Sequence, residues 1–122
     1  MSRRTFEMME QREELFIKSN YMCEVCGKSL FAYGTPQLAH RIPQRKHLIE
    51  IYGKEIIHNK LNMKPTCCLE CNAKVSTGYN FNEILEVLLE IRDSGYIEGL
   101  DKHIESLQNK LEQNGHTKIL LH

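Results

Sequence analysis

The sequence predicts a small α+β fold: one zinc-stapled domain with short strands between two cysteine clusters and a helical hairpin at its carboxyl end. Three observations predict it. A chain of 122 residues, 41% hydrophobic and 26% charged, has the size of one compact domain with one core. Five cysteines fall into two groups, Cys23 with Cys26 and Cys67 with Cys68 and Cys71. The last third carries two apolar stripes at helical spacing, closed by Ser94-Gly95 and Asn114-Gly115.

Taken in order, Phe6, Met9 and Phe16, flanked by Met8 and Leu15, recur at roughly helical spacing between Thr5 and Ser19, which predicts an amphipathic helix. It leads into Cys23-Glu24-Val25-Cys26-Gly27-Lys28, where a glycine after the second cysteine lets the backbone turn tightly around a metal-bound sulfur. Gly34 and Pro36 break the chain before a strand candidate over residues 37 to 42, which ends at Pro43. Pro43 suits the first turn of a helix on which Leu48, Ile51 and Tyr52 share a face until Gly53, and this basic helix reads as an inserted surface element. A further helix starts near the second cysteine cluster. Asn80 and Glu83 have capping-box spacing for a helix bearing Ile84, Leu85, Leu88 and Ile91, and the next bears Leu100, Ile104, Leu107 and Leu111. With acids on their outer faces, the two form an acidic hairpin over about residues 80 to 114. The second stripe suits a core or a dimer face, and a homodimer is one arrangement it allows.

The net charge is zero, yet it is unevenly spread. Residues 40 to 65 carry Arg41, Arg45, Lys46, Lys54, Lys60 and Lys64 against Glu50 and Glu55, a net +4, whereas residues 81 to 113 carry a net −5. The middle of the chain attracts polyanions and the end does not. The longest apolar runs are a few residues and the amino terminus lacks the apolar stretch of a signal peptide, so the expectation is a soluble, cytoplasmic protein without a membrane partner. Cytosolic thiols stay reduced, and their number is odd, so metal ligation is expected over disulfides. Two small clusters about forty residues apart can set four thiolates tetrahedrally around Zn²⁺ at roughly 2.3 Å. Cys23, Cys26 and Cys71 supply three ligands. The fourth is Cys67 or Cys68, and spacing alone favours Cys68 because C-x-x-C is the usual knuckle.

Between the clusters lie His40, at the end of the strand candidate, and Asn62, just ahead of the second cluster. These residues resemble the HNH endonuclease family. The likeness runs from Cys23-Glu24-Val25-Cys26-Gly27-Lys28 through Ala39-His40-Arg41-Ile42-Pro43 to Leu61-Asn62-Met63-Lys64-Pro65-Thr66-Cys67 and Cys71-Asn72, covering residues 12 to 76. It implies a ββα-metal core with flanking helices, in a single endonuclease domain spanning residues 1 to 122. By resemblance, His40 is the general base that activates water, Asn62 holds the loop that orients its imidazole, and Asn72 is a ligand of the catalytic metal. The phage-like members read N-x4-C-x3-C-N over this segment, which fits Asn62, Cys67, Cys71 and Asn72 and favours Cys67 as the fourth zinc ligand. Members often carry Asp or His before the base as a metal ligand, where this chain has Ala39; His58, Asn59 or a water could complete the coordination.

The chemistry asks for the same residue types. Phosphodiester hydrolysis needs a water deprotonated near neutral pH, for which a held imidazole is the usual base. It also needs a cation against the phosphate, and oxygen donors such as an Asn side chain suit Mg²⁺ or Mn²⁺. Arg41, Arg45, Lys46, Lys60 and Lys64 are candidate contacts to the phosphates of DNA. The rival expectation is a non-catalytic zinc-knuckle nucleic-acid-binding protein.

Overall fold

The computed structural model describes residues 3–95 and 97–113. Their order is α1 (Arg3–Lys18), β1 (Gln37–His40), α2 (Lys46–Tyr52), α3 (Lys54–Ile57), a 3₁₀ turn (Lys60–Asn62), β2 (Met63–Thr66), α4 (Leu69–Val75), α5 (Phe81–Ser94) and α6 (Leu100–Gln113). Six helices and a two-stranded antiparallel sheet thus make a small mixed fold. The chain forms two compact units, one from its start to Arg41 together with Met63–Ser76, the other from Ile42–Asn62 together with the chain from Thr77 onward. No described helix is long and apolar enough to cross a membrane.

In the first unit, α1 buries Leu15 and Phe16 but leaves Met9 53% and Ile17 57% exposed. Met9, expected on the apolar face, is therefore outside the core; the side chains of Phe6 and Met8, also expected there, lie outside those described. Strands β1 and β2 pair with Gln37 opposite Thr66, Leu38 opposite Pro65, Ala39 opposite Lys64 and His40 opposite Met63. Pro65 has no N–H to give, which a two-stranded sheet tolerates because each strand is an edge. The first strand was expected to reach Ile42 and ends at His40, where its partner β2 begins. Helix α4 packs across both strands. The unit's buried apolar cluster is small: Phe16, Leu30 and three cysteines, Cys23, Cys67 and Cys71, with Leu38 and Cys68 against it.

The second unit is helical. Its core joins Leu48 and Tyr52 of α2 and Ile56 and Ile57 of α3 to the inner faces of α5 and α6, among them Ile84, Leu88, Ile91, Ile104 and Leu107. The basic helix expected as a surface insertion is thus a structural member, because Leu48 and Tyr52 lie four residues apart and turn one stripe inward. Ile51, expected on that face, is 39% exposed. Pro43 does not open the helix: its carbonyl accepts the Arg45 N–H at 2.8 Å, and α2 starts at Lys46. Gly53, at φ 85°, ends α2 in a backbone conformation that side chains resist, and α3 follows at once. Asn80 caps α5, its Oδ1 accepting the Glu83 N–H at 3.1 Å, and the Gly95 N–H closes that helix on Ile91 O at 3.2 Å. The Leu100, Ile104, Leu107 and Leu111 stripe of α6 is core. The Asn114-Gly115 stop lies outside the described residues.

Candidate metal centre

The first pair of thiols is set by the end of α1. Asn20 and Tyr21 take left-handed backbone angles, φ 61° and 57°, and the Tyr21 N–H bonds back to Phe16 O at 2.9 Å, so the chain reverses sharply off the helix. A bridge between Met22 and Ser29 and the bond from Cys23 N–H to Lys28 O, 2.7 Å, close the loop. Within it the Gly27 N–H reaches Cys23 O at 3.0 Å with Gly27 at φ 78°, the turn that the glycine was expected to provide. The second set comes from a strand running into a helix. Cys67 directly follows β2, Cys68 is the residue before α4, and Cys71 sits in that helix's first turn.

The four sulfurs of Cys23, Cys26, Cys67 and Cys71 lie within 4.8 Å of one another. Cys26 Sγ is 3.6 Å and Cys71 Sγ 3.9 Å from Cys67 Sγ. A zinc tetrathiolate with bonds of ~2.3 Å has sulfur–sulfur edges of roughly 3.8 Å, whereas a disulfide needs ~2.05 Å. The spacing therefore fits a metal ion such as zinc and does not fit a covalent pair; all five cysteines are free thiols. Cys67, rather than Cys68, completes the set of four. Cys68 Sγ stands 3.8 Å from Cys67 Sγ, beside the group.

Crowding has an electrostatic consequence. Burial pushes the Cys67 thiol up and the Cys71 thiol up to about 12. Burial also disfavours the Cys23 thiolate, but backbone N–H groups of Cys26, Val25 and Cys67 outweigh it and bring that thiol down to about 6; the Val25 N–H points at its sulfur from 3.4 Å. So one thiolate is held ready by the backbone, while burial keeps Cys67 and Cys71 protonated unless a cation offsets it.

The remaining candidate residues are divided between the units. His40 is half-buried at the end of β1, opposite Met63. Asn72, on α4, donates one of its two Nδ2 hydrogens to Gln37 Oε1 of β1 at 2.7 Å, which turns that amide toward the strand. Arg41 and Lys64 are half-buried in the same unit. Asn62 belongs to the second unit and is fully buried: its Oδ1 accepts the Ile42 N–H at 2.7 Å, and its Nδ2 donates to Ile42 O at 3.1 Å and Ile57 O at 2.8 Å. It clamps the backbone two residues beyond His40 in the chain to the end of α3. His58, half-buried, is the residue that ends α3, and Arg45, Lys46 and Lys60 are exposed.

Ala39, the position at which the resemblance leads one to expect Asp or His as a metal ligand, is completely buried. The cysteine set is the one group of three or more His, Cys, Asp and Glu side chains gathered closely enough for a metal among the described residues. A hard cation such as Mg²⁺ favours carboxylates, so the neutral donors of His40 and Asn72 are a poor protein cage for it.

Two contacts lay beyond the sequence pattern. Gln37 became Asn72's partner only through the strand–helix packing. Tyr79, 50% exposed, carries the Arg45 guanidinium 5.3 Å from its ring centre and the His47 ring at 6.5 Å, an aromatic placed among bases by the fold of the second unit. Compared with known proteins, the chain matches no family model, no curated protein and no solved structure.

Proposed function

We propose that the protein is a nucleic-acid-binding, HNH-like endonuclease that hydrolyses DNA phosphodiester bonds, with His40 as the general base. The observation that carries this reading is the make-up of the first unit: two antiparallel strands crossed by a helix, His40 ending the first strand, four gathered thiols, and Asn72 immediately after the last of them. In this reading Cys23, Cys26, Cys67 and Cys71 hold a structural zinc that fixes α4 against the strands. A zinc ion bound there would supply rigidity and no chemistry. The His40 imidazole takes a proton from water, the resulting hydroxide forms a bond to phosphorus, and the bond to the leaving sugar oxygen breaks as that oxygen takes a proton from solvent. Arg41 and Lys64, with Arg45, Lys46 and Lys60, are the phosphate contacts. Asn62 acts through the backbone it clamps.

A divalent cation of the Mg²⁺ or Mn²⁺ type would balance charge on the phosphate, with the Asn72 oxygen as its protein donor. The absence of a carboxylate at Ala39 makes that site weak and predicts that Mn²⁺, which binds nitrogen and oxygen donors more tightly, supports activity better than Mg²⁺. The same observation favours the second reading, a zinc-knuckle protein that binds nucleic acid without cutting it.

Plasmid incubation separates the two. Zinc-loaded protein with Mn²⁺ is expected to nick or linearise supercoiled DNA, with an EDTA control inert. His40→Ala should keep zinc and DNA affinity while cleavage drops ~10²–10⁴-fold. Undiminished cleavage by His40→Ala excludes the base assignment; binding without any cleavage by the wild type establishes the second reading.

A further inference from the structure

Beside the cysteine cluster, within the first unit, lies a hollow of about 680 Å³, lined by Tyr33, Thr35, Gln37, Leu69 and the charged Lys28, Glu70 and Lys74, together with the thiols other than Cys23. Two of its members are large and open to solvent, Tyr33 at 61% and Leu69 at 74% exposure. Such exposure of a flat ring and an aliphatic side chain around one concavity is costly unless something flat and apolar covers them.

The details narrow the occupant. Lys28 Nζ donates to Tyr33 Oη at 2.6 Å yet is 5.2 Å from the ring centre, so the ammonium sits out beyond the hydroxyl rather than over the ring. It pins the edge of the ring and leaves its faces uncovered by the cation. Gln37 has its Oε1 engaged by Asn72, which leaves its amide N–H groups for a ligand, and Thr35 adds a hydroxyl. The charges point away from a phosphate. Lys74 already has Glu70 Oε1 at 4.0 Å, and a dication held by four thiolates leaves a negative centre against the wall, so the two lysines give the hollow no surplus positive charge.

We infer that this hollow takes an unpaired base of a single-stranded nucleic acid, stacked on Tyr33 against Leu69, with Thr35 and Gln37 at the base's polar edge. Every base has a face to stack, so the contact tolerates sequence. The volume is ample for one base with its sugar. The binding step stands apart from hydrolysis: it needs no added divalent cation, so failure of either reading leaves the other intact.

The test is fluorescence anisotropy of a labelled oligothymidylate with the zinc-loaded full chain, without Mg²⁺ or Mn²⁺, across a salt series. Loss of one stacked base by Tyr33→Ala should weaken binding about tenfold or more, with zinc content and salt slope unchanged, while Tyr33→Phe keeps the affinity. Leu69→Glu, at the other exposed apolar residue of the lining, should weaken binding of the strand as well. Wild-type affinity in zinc-replete Tyr33→Ala and Leu69→Glu overturns the proposal. So does a fall of the salt slope by about one unit in Tyr33→Ala, which marks a phosphate contact, or full competition by a thymidine mononucleotide, which marks a free-nucleotide pocket.

Discussion

The two units of this chain are stabilised in different ways. The second buries fourteen apolar residues drawn from four helices and the segment leading into them. Among the described residues the first buries eight, three of them cysteines and five of them joined in one cluster, and leaves Ile17, Phe31, Tyr33 and Leu69 more than half exposed. At ~1.5–3 kcal/mol for each large apolar side chain buried, the helical unit has a core of its own, while the strand unit has a thinner one beside four thiols that could hold a metal. The lesson is that the proposed roles are split: His40 and Asn72 lie in the unit with the thinner core, where four gathered thiols could hold a metal in place of apolar bulk, whereas Arg45, Lys46, Lys60 and Asn62 belong to the helical unit.

The comparison is broken most severely at the cysteines. Cys71→Ser is expected to abolish stoichiometric zinc binding and the ordered state of the first unit, whereas Cys68→Ser retains both, read by metal analysis alongside near-ultraviolet circular dichroism. Equal damage from the two substitutions would assign Cys68 to the metal.

A core truncation should act on the other unit. Leu88 is fully buried between α5 and its neighbours, and Leu88→Ala is expected to cost ~2–5 kcal/mol in denaturant unfolding with zinc content unchanged. Loss of zinc from that variant would mean that the two units stand or fall as one.

The smallest effect is the pH dependence, and its sign depends on the metal. Without metal, the Cys71 thiol is raised by burial from 9.0 to about 12, so the stability it contributes is complete below pH 9 and is lost as pH rises toward 12. With metal the thiols must be ionised, and protons compete, so stability is lost as pH falls. In the second unit burial lowers the pKa of His103, which lies 5.2 Å from the Tyr52 ring, and its contribution is lost below 6.5. Melting temperatures should therefore fall as pH rises above 9 in chelated protein, and fall as pH drops below 9 in zinc-loaded protein, which is level above 9.

Much of this was legible in the sequence because the signals are local. Cys23-x-x-Cys26-Gly27 states its own turn, and Asn80 to Glu83 states its own cap. The choice between Cys67 and Cys68 was open from spacing, since both lie at the strand-to-helix junction and only the direction of β2 into α4 decides which sulfur points at the other three. The role of α2 was hidden because the partners of Leu48 and Tyr52 lie some thirty to fifty residues further along the chain. Gln37 with Asn72, and Arg45 with Tyr79, were hidden for the same reason: no periodicity links residues brought together only by tertiary packing.

The central claim is that metal holds one unit and apolar burial the other. Hydrogen exchange read by mass spectrometry, on zinc-loaded protein and after chelation, tests it most directly. The account predicts that chelation removes protection from Cys23–Lys28 and Met63–Val75 while α5 and α6 stay protected. Protection of both units that survives chelation, or vanishes from both at once, would contradict it.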